Sequence, residues 1–396
     1  MPGPLSFEIT HRLPGTPART GVVSTPHGQF STPAFMPVGT KGTIKGLFPH
    51  LVASTGSEII LNNAYHLLLR PGDDLVARRG GMHGFMGWDG PILTDSGGFQ
   101  AFSMADVNRI DDDGVTFKSI IDGSAIHLGP ERAMEVQNNL GADIIMAFDD
   151  CPPSVDGIHG TGEAGYARRL EQAVRRTTEW LHRCIDAHAR PDDQALFGIV
   201  QGGTCPELRA RSLAEITALD LPGYAIGGVA VGESPEQIHA VVESVAPSLP
   251  EDRPRYLMGV GYERDIVAAV HSGIDMFDCV LPTRNGRSAT AFTRRGRLNL
   301  RNARFKEDDQ PLEPGCPCLA CCPDHPLSMA RKGIFSRAYL RHLFLAEEMM
   351  GPILVSLHNI QHFQSLMLDI RKAIRDDAWP LLERDWPVLG DPALKG

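Results

Sequence analysis

With 396 residues, of which 42% are hydrophobic and 22% charged, the chain has the composition of a soluble protein and a length that fits one elaborated α/β barrel with an added subdomain as well as two ordinary domains. Its formal charge of -10 excludes indiscriminate coating of nucleic acid, because a polyanion would repel the molecule as a whole, but it leaves room for a local basic patch. No apolar run approaches the ~20 residues of a membrane span, and the start, MPGPLSFEITHRLPG, has neither the basic nor the apolar region of a secretory signal, so no membrane association and a cytoplasmic location are expected.

In chain order, short apolar runs rich in β-formers fall at Phe35-Val38, Ile59-Leu61, Ile92-Thr94, Ile144-Ala147, Leu196-Val200, Tyr224-Ile226, Tyr256-Val260 and Met276-Val280. Helical stretches separate them. Pro130 suits the first helical position before Glu131-Leu140, and Arg168-His188 reads as a long helix. The stretch Asp156-Gly165, rich in His and Gly, reads as a mobile loop. Eight strands alternating with helices predict a (β/α)8 TIM barrel. A doubly wound open sheet is the alternative, disfavoured because no Gly-x-Gly-x-x-Gly opens a helix after the first strand.

Polar residues and glycines gather where these strands end: Asp95-Ser96-Gly97-Gly98, Asp149-Asp150-Cys151, Gln201-Gly202-Gly203, Gly227-Gly228, Gly259 and Asp278. A barrel carries its active site at the carboxyl-terminal ends of its strands, so this repetition points to one shared pocket. Any single glycine there could simply turn the chain. Two carboxylates facing one pocket can divide nucleophilic and general acid/base roles at an anomeric carbon, and Asp95 and Asp278 are so placed. Asp95 could equally cap a helix opened by Asp-Ser-Gly-Gly.

From about Thr283 the chain turns basic and irregular, with Arg284, Arg287, Arg294, Arg295, Arg297, Arg301, Arg304 and Lys306 ahead of a cysteine cluster and Arg331, Lys332, Arg337 and Arg341 after it. Four of the eight cysteines crowd into Cys316, Cys318, Cys321 and Cys322, a spacing that suits tetrahedral zinc rather than a disulfide framework. By spacing alone the fourth ligand is Cys322, His325, His342 or His358. A closed four-ligand site would be structural, supporting a loop-rich subdomain with little apolar mass of its own. The expected organisation is a catalytic barrel over residues 1–396 with a zinc-binding subdomain inserted at 300–365.

Six segments, in order, resemble the signature motifs of tRNA-guanine transglycosylases: Asp95-Ser-Gly-Gly-Phe-Gln100, Asp149-Asp-Cys151, Gly198-Ile-Val-Gln201-Gly202, Gly227-Gly-Val-Ala-Val-Gly-Glu233, Tyr256-Leu-Met-Gly-Val-Gly261 and Phe277-Asp-Cys-Val-Leu-Pro-Thr-Arg284. The cysteine cluster falls where that family's zinc site lies. The resemblance implies that Asp278 is the nucleophile, forming a covalent RNA-enzyme intermediate, and that Asp95 is the general acid/base. It implies that Asp149, Gln201 and the Gly228 N–H read the edge of guanine, that Phe99 and Met258 sandwich the flipped base, and that Cys151 and Val229 complete the pocket. Standing alone, Phe99 or Met258 would read as ordinary core. Arg284 and Arg287 match residues that contact the nucleotides flanking the target.

His358, in Leu357-His-Asn359, aligns with the family's fourth zinc ligand, and His325 is the second choice. The chain departs from the family pattern between Cys322 and Phe335, where it carries extra residues. Val231 and Cys151 resemble the bacterial form, which implies exchange of guanine at the wobble position of a tRNA for 7-aminomethyl-7-deazaguanine rather than queuine. One structural zinc per chain, no ATP or redox cofactor, and a homodimer are implied as well. Three other readings are weaker: a zinc-stabilised RNA-binding protein without catalysis, a carbohydrate-active hydrolase and a metal-dependent hydrolase. The first needs no paired carboxylates, the second no Asp149, Gln201 or arginine-rich zinc segment, and the third wants paired histidines on a first strand.

Overall fold

The structure, a computed structural model, describes residues 3–104, 107–154, 162–328 and 333–390. Eight parallel strands close into a barrel in sequence order: Ala34–Gly39, Ile60–Asn63, Ile92–Asp95, Ile144–Met146, Ala195–Val200, Gly223–Ile226, Arg255–Leu257 and Met276–Cys279, the last pairing back onto the first. The (β/α)8 expectation therefore holds, with each strand within a few residues of its apolar run. These runs are continuous rather than alternating because both faces of the sheet are covered: Ala195–Val200 is buried at every position. The Pro130–Leu140 helix begins at its proline as expected. The long helix spans Gly162–Ala187, six residues earlier than expected, so it takes in 162–165 of the stretch 156–165 read as a loop; the rest of that stretch, 156–161, lies outside the described residues.

Side chains fill the barrel interior. Met36, Leu61, Leu93, Met146, Phe197, Ile199, Tyr256 and Met276 form one apolar cluster, joined by Val23 and Phe30 from an antiparallel sheet of Ser6–Arg12, Arg19–Thr25 and Gly28–Thr32. Gly223 makes room for this packing, since a Cβ there would lie 2.2 Å from the Phe197 ring. The amino-terminal sheet plugs the amino-terminal mouth. There the buried Arg19 guanidinium grips Asp275 through two bonds (3.0 and 2.7 Å), and the Arg255 N–H donates to the same carboxylate at 2.8 Å. The opposite mouth stays open to chemistry.

Two elaborations flank that open mouth. Between the third and fourth barrel strands lie the helix Gly98–Met104 and an antiparallel sheet of Val107–Ile110, Val115–Lys118 and Ala125–Leu128. After the eighth come the helix Leu281–Arg287, the hairpin Thr290–Thr293 and Gly296–Asn299, and the cysteine segment. The last has a small core of its own, including Leu300, Phe305, Leu312, Leu340 and Val355. A helix of 26 residues, Met350–Arg375, ties it to the barrel: Phe363 stacks on Phe35 of the first strand at 4.7 Å, and the Gln364 amide donates to the Phe35 carbonyl.

Candidate active site and metal centre

Asp95 closes the third barrel strand and Asp278 lies in the eighth, so the fold itself brings the two sequence-distant carboxylates to one mouth. Asp95 accepts the Ala64 N–H at 2.9 Å and a bond from the Asn63 amide. It therefore braces the end of the second strand and the first residue of the helix Ala64–Leu69. Burial drives its carboxyl up to about 7; those bonds oppose the rise and the neighbouring Asp278 charge adds to it. Asp278 is half-buried, and burial raises its carboxyl too. Tyr256 donates to its Oδ1 at 2.5 Å and the Gly259 N–H to the same oxygen at 2.7 Å. Among the described residues Oδ2 accepts no hydrogen bond.

The wall beside these carboxylates carries Asp149 and Gln201. The Gln201 amide donates to Asp149 Oδ2 at 2.6 Å, which ties the two groups together in this ligand-free arrangement. Gln201 Oε1 is buried without a partner, an arrangement that ordinarily carries a penalty of about 1–3 kcal/mol and marks the spot as polar and unfinished. Asp149 is pushed up to about 7 by burial, which the Gln201 bond opposes and the charges of Asp150 and Asp95 reinforce. Its neighbour Asp150 faces away, held by Arg169 through two bonds (2.9 and 2.5 Å).

Gly228 adopts φ 63°, a left-handed conformation that favours glycine, and a Cβ there would lie 2.3 Å from Gln201 Oε1. Its carbonyl is tied down by the fully buried Arg209, which also holds the carbonyls of Val200 and Gly203 at 2.8 and 2.7 Å. One cation thus fixes two glycine turns of the pocket. Cys151 and Val229 are buried beside them and Met258 is half-buried, whereas Phe99 is 42% exposed. A phenylalanine this exposed next to two carboxylates is poor core and a good stacking platform.

Arg284 and Arg287 lie on the short helix that follows the eighth strand, and both are exposed. Lys41 and Lys45, from the loop after the first strand, join them: burial lowers Lys45, with Arg287 and Lys41 next in effect. Burial lowers Arg287 as well, followed by Arg284. None of the four makes an ion pair among the described residues. Crowded cations without a counter-charge give this edge of the mouth a positive potential.

Away from the mouth, Cys316, Cys318 and Cys321 converge on His358, whose Nδ1 lies 3.5, 3.6 and 3.5 Å from their sulfurs. A tetrahedral ion with bonds of about 2.3 Å to sulfur and 2.0–2.1 Å to nitrogen requires sulfur-to-nitrogen edges of about 3.5 Å. The donor set fits. His358 Nε2 donates to the Phe292 carbonyl at 2.8 Å, which leaves Nδ1 as the lone-pair nitrogen, and Asn359 pins the same hairpin through Phe292 and Thr290. Hydrogen bonds from Cys316 and Cys318 lower the Cys321 thiol, favouring the thiolate a metal needs. His325 stands outside this group, its Nδ1 accepting the Leu327 N–H at 3.1 Å.

A family model described as queuine tRNA-ribosyltransferase matches residues 15–387. The chain belongs to the queuine tRNA-ribosyltransferase family. It is 53% identical to the queuine tRNA-ribosyltransferase of Synechococcus sp. strain CC9311 over 93% of this chain and 94% of that protein. It is 52% identical to that of Thermus thermophilus (97% and 94%) and 48% identical to that of Streptococcus suis strain 98HAH33 (94% and 93%). In this member of the family, sequence reasoning does not single out Asn63, Tyr256, Arg209, Lys41 or Lys45. Tyr256 and Gly259 lie inside one of the family-like motifs, but a strand residue gives no sign that its hydroxyl bonds a carboxylate on the neighbouring strand. Arg209 sits in an ordinary-looking amphipathic helix, and only its complete burial betrays it.

Proposed function

We propose that this chain is a tRNA-guanine transglycosylase that exchanges guanine at the anticodon wobble position for 7-aminomethyl-7-deazaguanine, a step of queuosine biosynthesis. The observation that carries the reading is the unequal pair at the barrel mouth. Asp95 is protonated to a useful extent near neutral pH, and Asp278 has one oxygen pinned by Tyr256 and Gly259 and the other free. Asp278 Oδ2 attacks the ribose anomeric carbon while Asp95 protonates the departing guanine, leaving a covalent RNA-enzyme ester. Asp95 then takes a proton from the incoming base, whose nitrogen attacks the same carbon and expels Asp278. Two inversions give net retention, as in retaining glycosidases.

Asp149, Gln201 and Gly228 read the guanine edge and Phe99 and Met258 hold its faces, with Cys151 and Val229 lining the pocket. The rim of Lys41, Lys45, Arg284 and Arg287 takes phosphates of the anticodon loop, which is already single-stranded and so presents its base cheaply. The ion at Cys316, Cys318, Cys321 and His358 is zinc, one per chain, with a structural role because all four positions are taken by protein. The chain works as one catalytic unit over 1–396 with the metal-binding subdomain at 300–365, in the cytoplasm, and as a homodimer; among the described residues no helix is long and apolar enough to cross a membrane. Leu345 and Met349, 51% and 80% exposed within the subdomain, supply apolar surface for a second copy.

Incubation with radiolabelled guanine and unmodified tRNA tests the exchange directly. Label is expected in the RNA, and its absence overturns the proposal. Competition by queuine and the aminomethyl base tests the substrate: the latter is expected to win, with Val231→Gly relaxing the preference.

A further inference from the structure

The segment that carries Asp149 leaves the sheet soon after the fourth barrel strand ends. The Ala147 N–H still reaches the Phe197 carbonyl at 3.0 Å, but residues 148–154 belong to no strand. The helix Gly162–Ala187 takes over the hold. The Phe148 N–H donates to Cys184 Sγ at 3.4 Å and its ring packs 4.9 Å from that of Trp180, while the Asp150 N–H donates to Thr177 Oγ1 at 3.1 Å. Arg169 grips both Asp150 oxygens, and Arg176 adds a longer contact at 3.4 Å. Arg169, Arg176, Thr177, Trp180 and Cys184 follow one another at helical spacing, so a single face of the helix holds residues 148 and 150.

We propose that Asp150, gripped by Arg169 and Arg176, is a positioning residue for base recognition that aims the Asp149 carboxylate into the pocket. The inference rests on the reading of Asp149 as the acceptor for the guanine edge. In extended backbone successive side chains point to opposite sides, so fixing residues 148 and 150 against the helix turns residue 149 toward the mouth. There Asp149 meets the Gln201 amide, and Gly98 comes so near that a Cβ on it would fall 3.0 Å from the Asp149 carbonyl. Asp150 is fully buried, a place where a carboxylate needs a guanidinium fork, and Arg169 pairs with no other acid among the described residues.

The grip also sets the charge that Asp149 feels. Burial raises the Asp149 carboxyl, the Gln201 bond opposes the rise, and the charges of Asp150 and Asp95 add to it. The thiols of Cys151, on the same segment, and of Cys184, on the long helix, are raised by burial and so stay uncharged. The other charged groups nearby are already engaged: Arg209 holds the Gly228 carbonyl beside Gln201, and Glu233 accepts the Val231 N–H. Arg176 is shared with Asp112, to which its Nε donates at 2.8 Å, so Arg169 is the principal counter-charge of Asp150. Without Arg169 the Asp150 charge holds the Asp149 proton more tightly; without the Asp150 charge that proton leaves more easily.

The test is the KM for guanine in exchange into tRNA, followed across neutral pH for the wild type, Arg169→Gln, Arg169→Lys and Asp150→Asn, with circular dichroism as the check on folding. KM rises as Asp149 takes up a proton, so each protein has a midpoint in pH. Arg169→Gln is expected to move that midpoint to higher pH and to raise KM at neutral pH about tenfold, with kcat changed by less than about threefold because Asp278 and Asp95 are untouched. Arg169→Lys keeps the charge and should restore most of the loss, and Asp150→Asn should move the midpoint to lower pH. A midpoint that stays in place, or that moves the same way in Arg169→Gln and Asp150→Asn, overturns the proposal and leaves a cohesive contact only. If Arg169→Gln does not fold, the sign of the shift in Asp150→Asn decides alone. Failure of the wild type to incorporate guanine is a separate result, which overturns the base-exchange reading and this inference with it.

Discussion

The two ends of the barrel treat buried aspartates in opposite ways. At the amino-terminal end Asp275 is neutralised by Arg19, and Asp143, which burial alone would raise, is held below the ordinary carboxylate range by bonds from His83, Ile92 and His27. At the carboxyl-terminal end the buried Asp95 and Asp149 and the half-buried Asp278 have neutral donors only, and all three are raised. Same residue type, same barrel, opposite electrostatics: the floor uses its charges for cohesion, and the roof leaves these three without a cationic partner.

The largest effect separating the two ends is expected from Asp278→Asn. An amide cannot form the ester, so base exchange should fall on the order of 10⁴-fold or more while circular dichroism and metal content stay as in the wild type. Asp95→Asn removes a proton shuttle rather than the bond-forming atom. Its exchange rate should drop ~10²–10⁴-fold with RNA binding retained. Normal turnover by either variant would remove the mouth's claim to chemistry.

At the floor, Asp275→Asn should leave the site geometry alone but strand the Arg19 cation in a buried place. Breaking one partner of such a pair destabilises by about 3–5 kcal/mol, read as a lower midpoint in urea. If Asp275→Asn instead lowers exchange without lowering stability, the division of labour between the two ends fails.

The contrast between ends was half legible in the sequence. The eight apolar runs marked the barrel because a sheet covered on both faces must be apolar throughout, and strand-end residues such as Asp95 and Asp278 followed from that architecture. The Cys316, Cys318 and Cys321 spacing likewise announced a metal, since neighbouring thiols have few other uses. What stayed hidden depends on side chains meeting across space: Tyr256 on Asp278, Arg209 threading two glycine turns, Lys41 and Lys45 joining Arg287. Spacing left four choices for the fourth donor, and His358 reaches the sulfurs because the helix Met350–Arg375 is anchored to the barrel by Phe363 and Gln364, a fact of packing rather than of motif. The extra residues after Cys321 are only partly described, with Arg331 and Lys332 outside the described set.

The finest probe of the comparison is the stability of Asp149→Asn. Asparagine is nearly isosteric and its carbonyl still accepts the Gln201 amide, so packing and hydrogen bonding persist while the buried charge goes. Because the folded carboxyl sits at about 7, above the value near 3.9 of an unfolded aspartate, the native state holds a proton that the unfolded state releases between those limits. Wild-type stability contributed by this group is therefore complete below about pH 4 and is lost as pH rises through about 7. The variant has no such loss. Its Tm should match the wild type near pH 4, draw ahead through pH 5 and 6, and level off above pH 7 with a gain of up to about 4 kcal/mol, even as exchange activity collapses. A floor carboxylate gives the reverse sign, since loss of Asp143's bonds should destabilise most at neutral pH and least in acid. Identical pH profiles for Asp149→Asn and Asp143→Asn would show that the two ends of the barrel do not differ in the way their hydrogen bonds suggest.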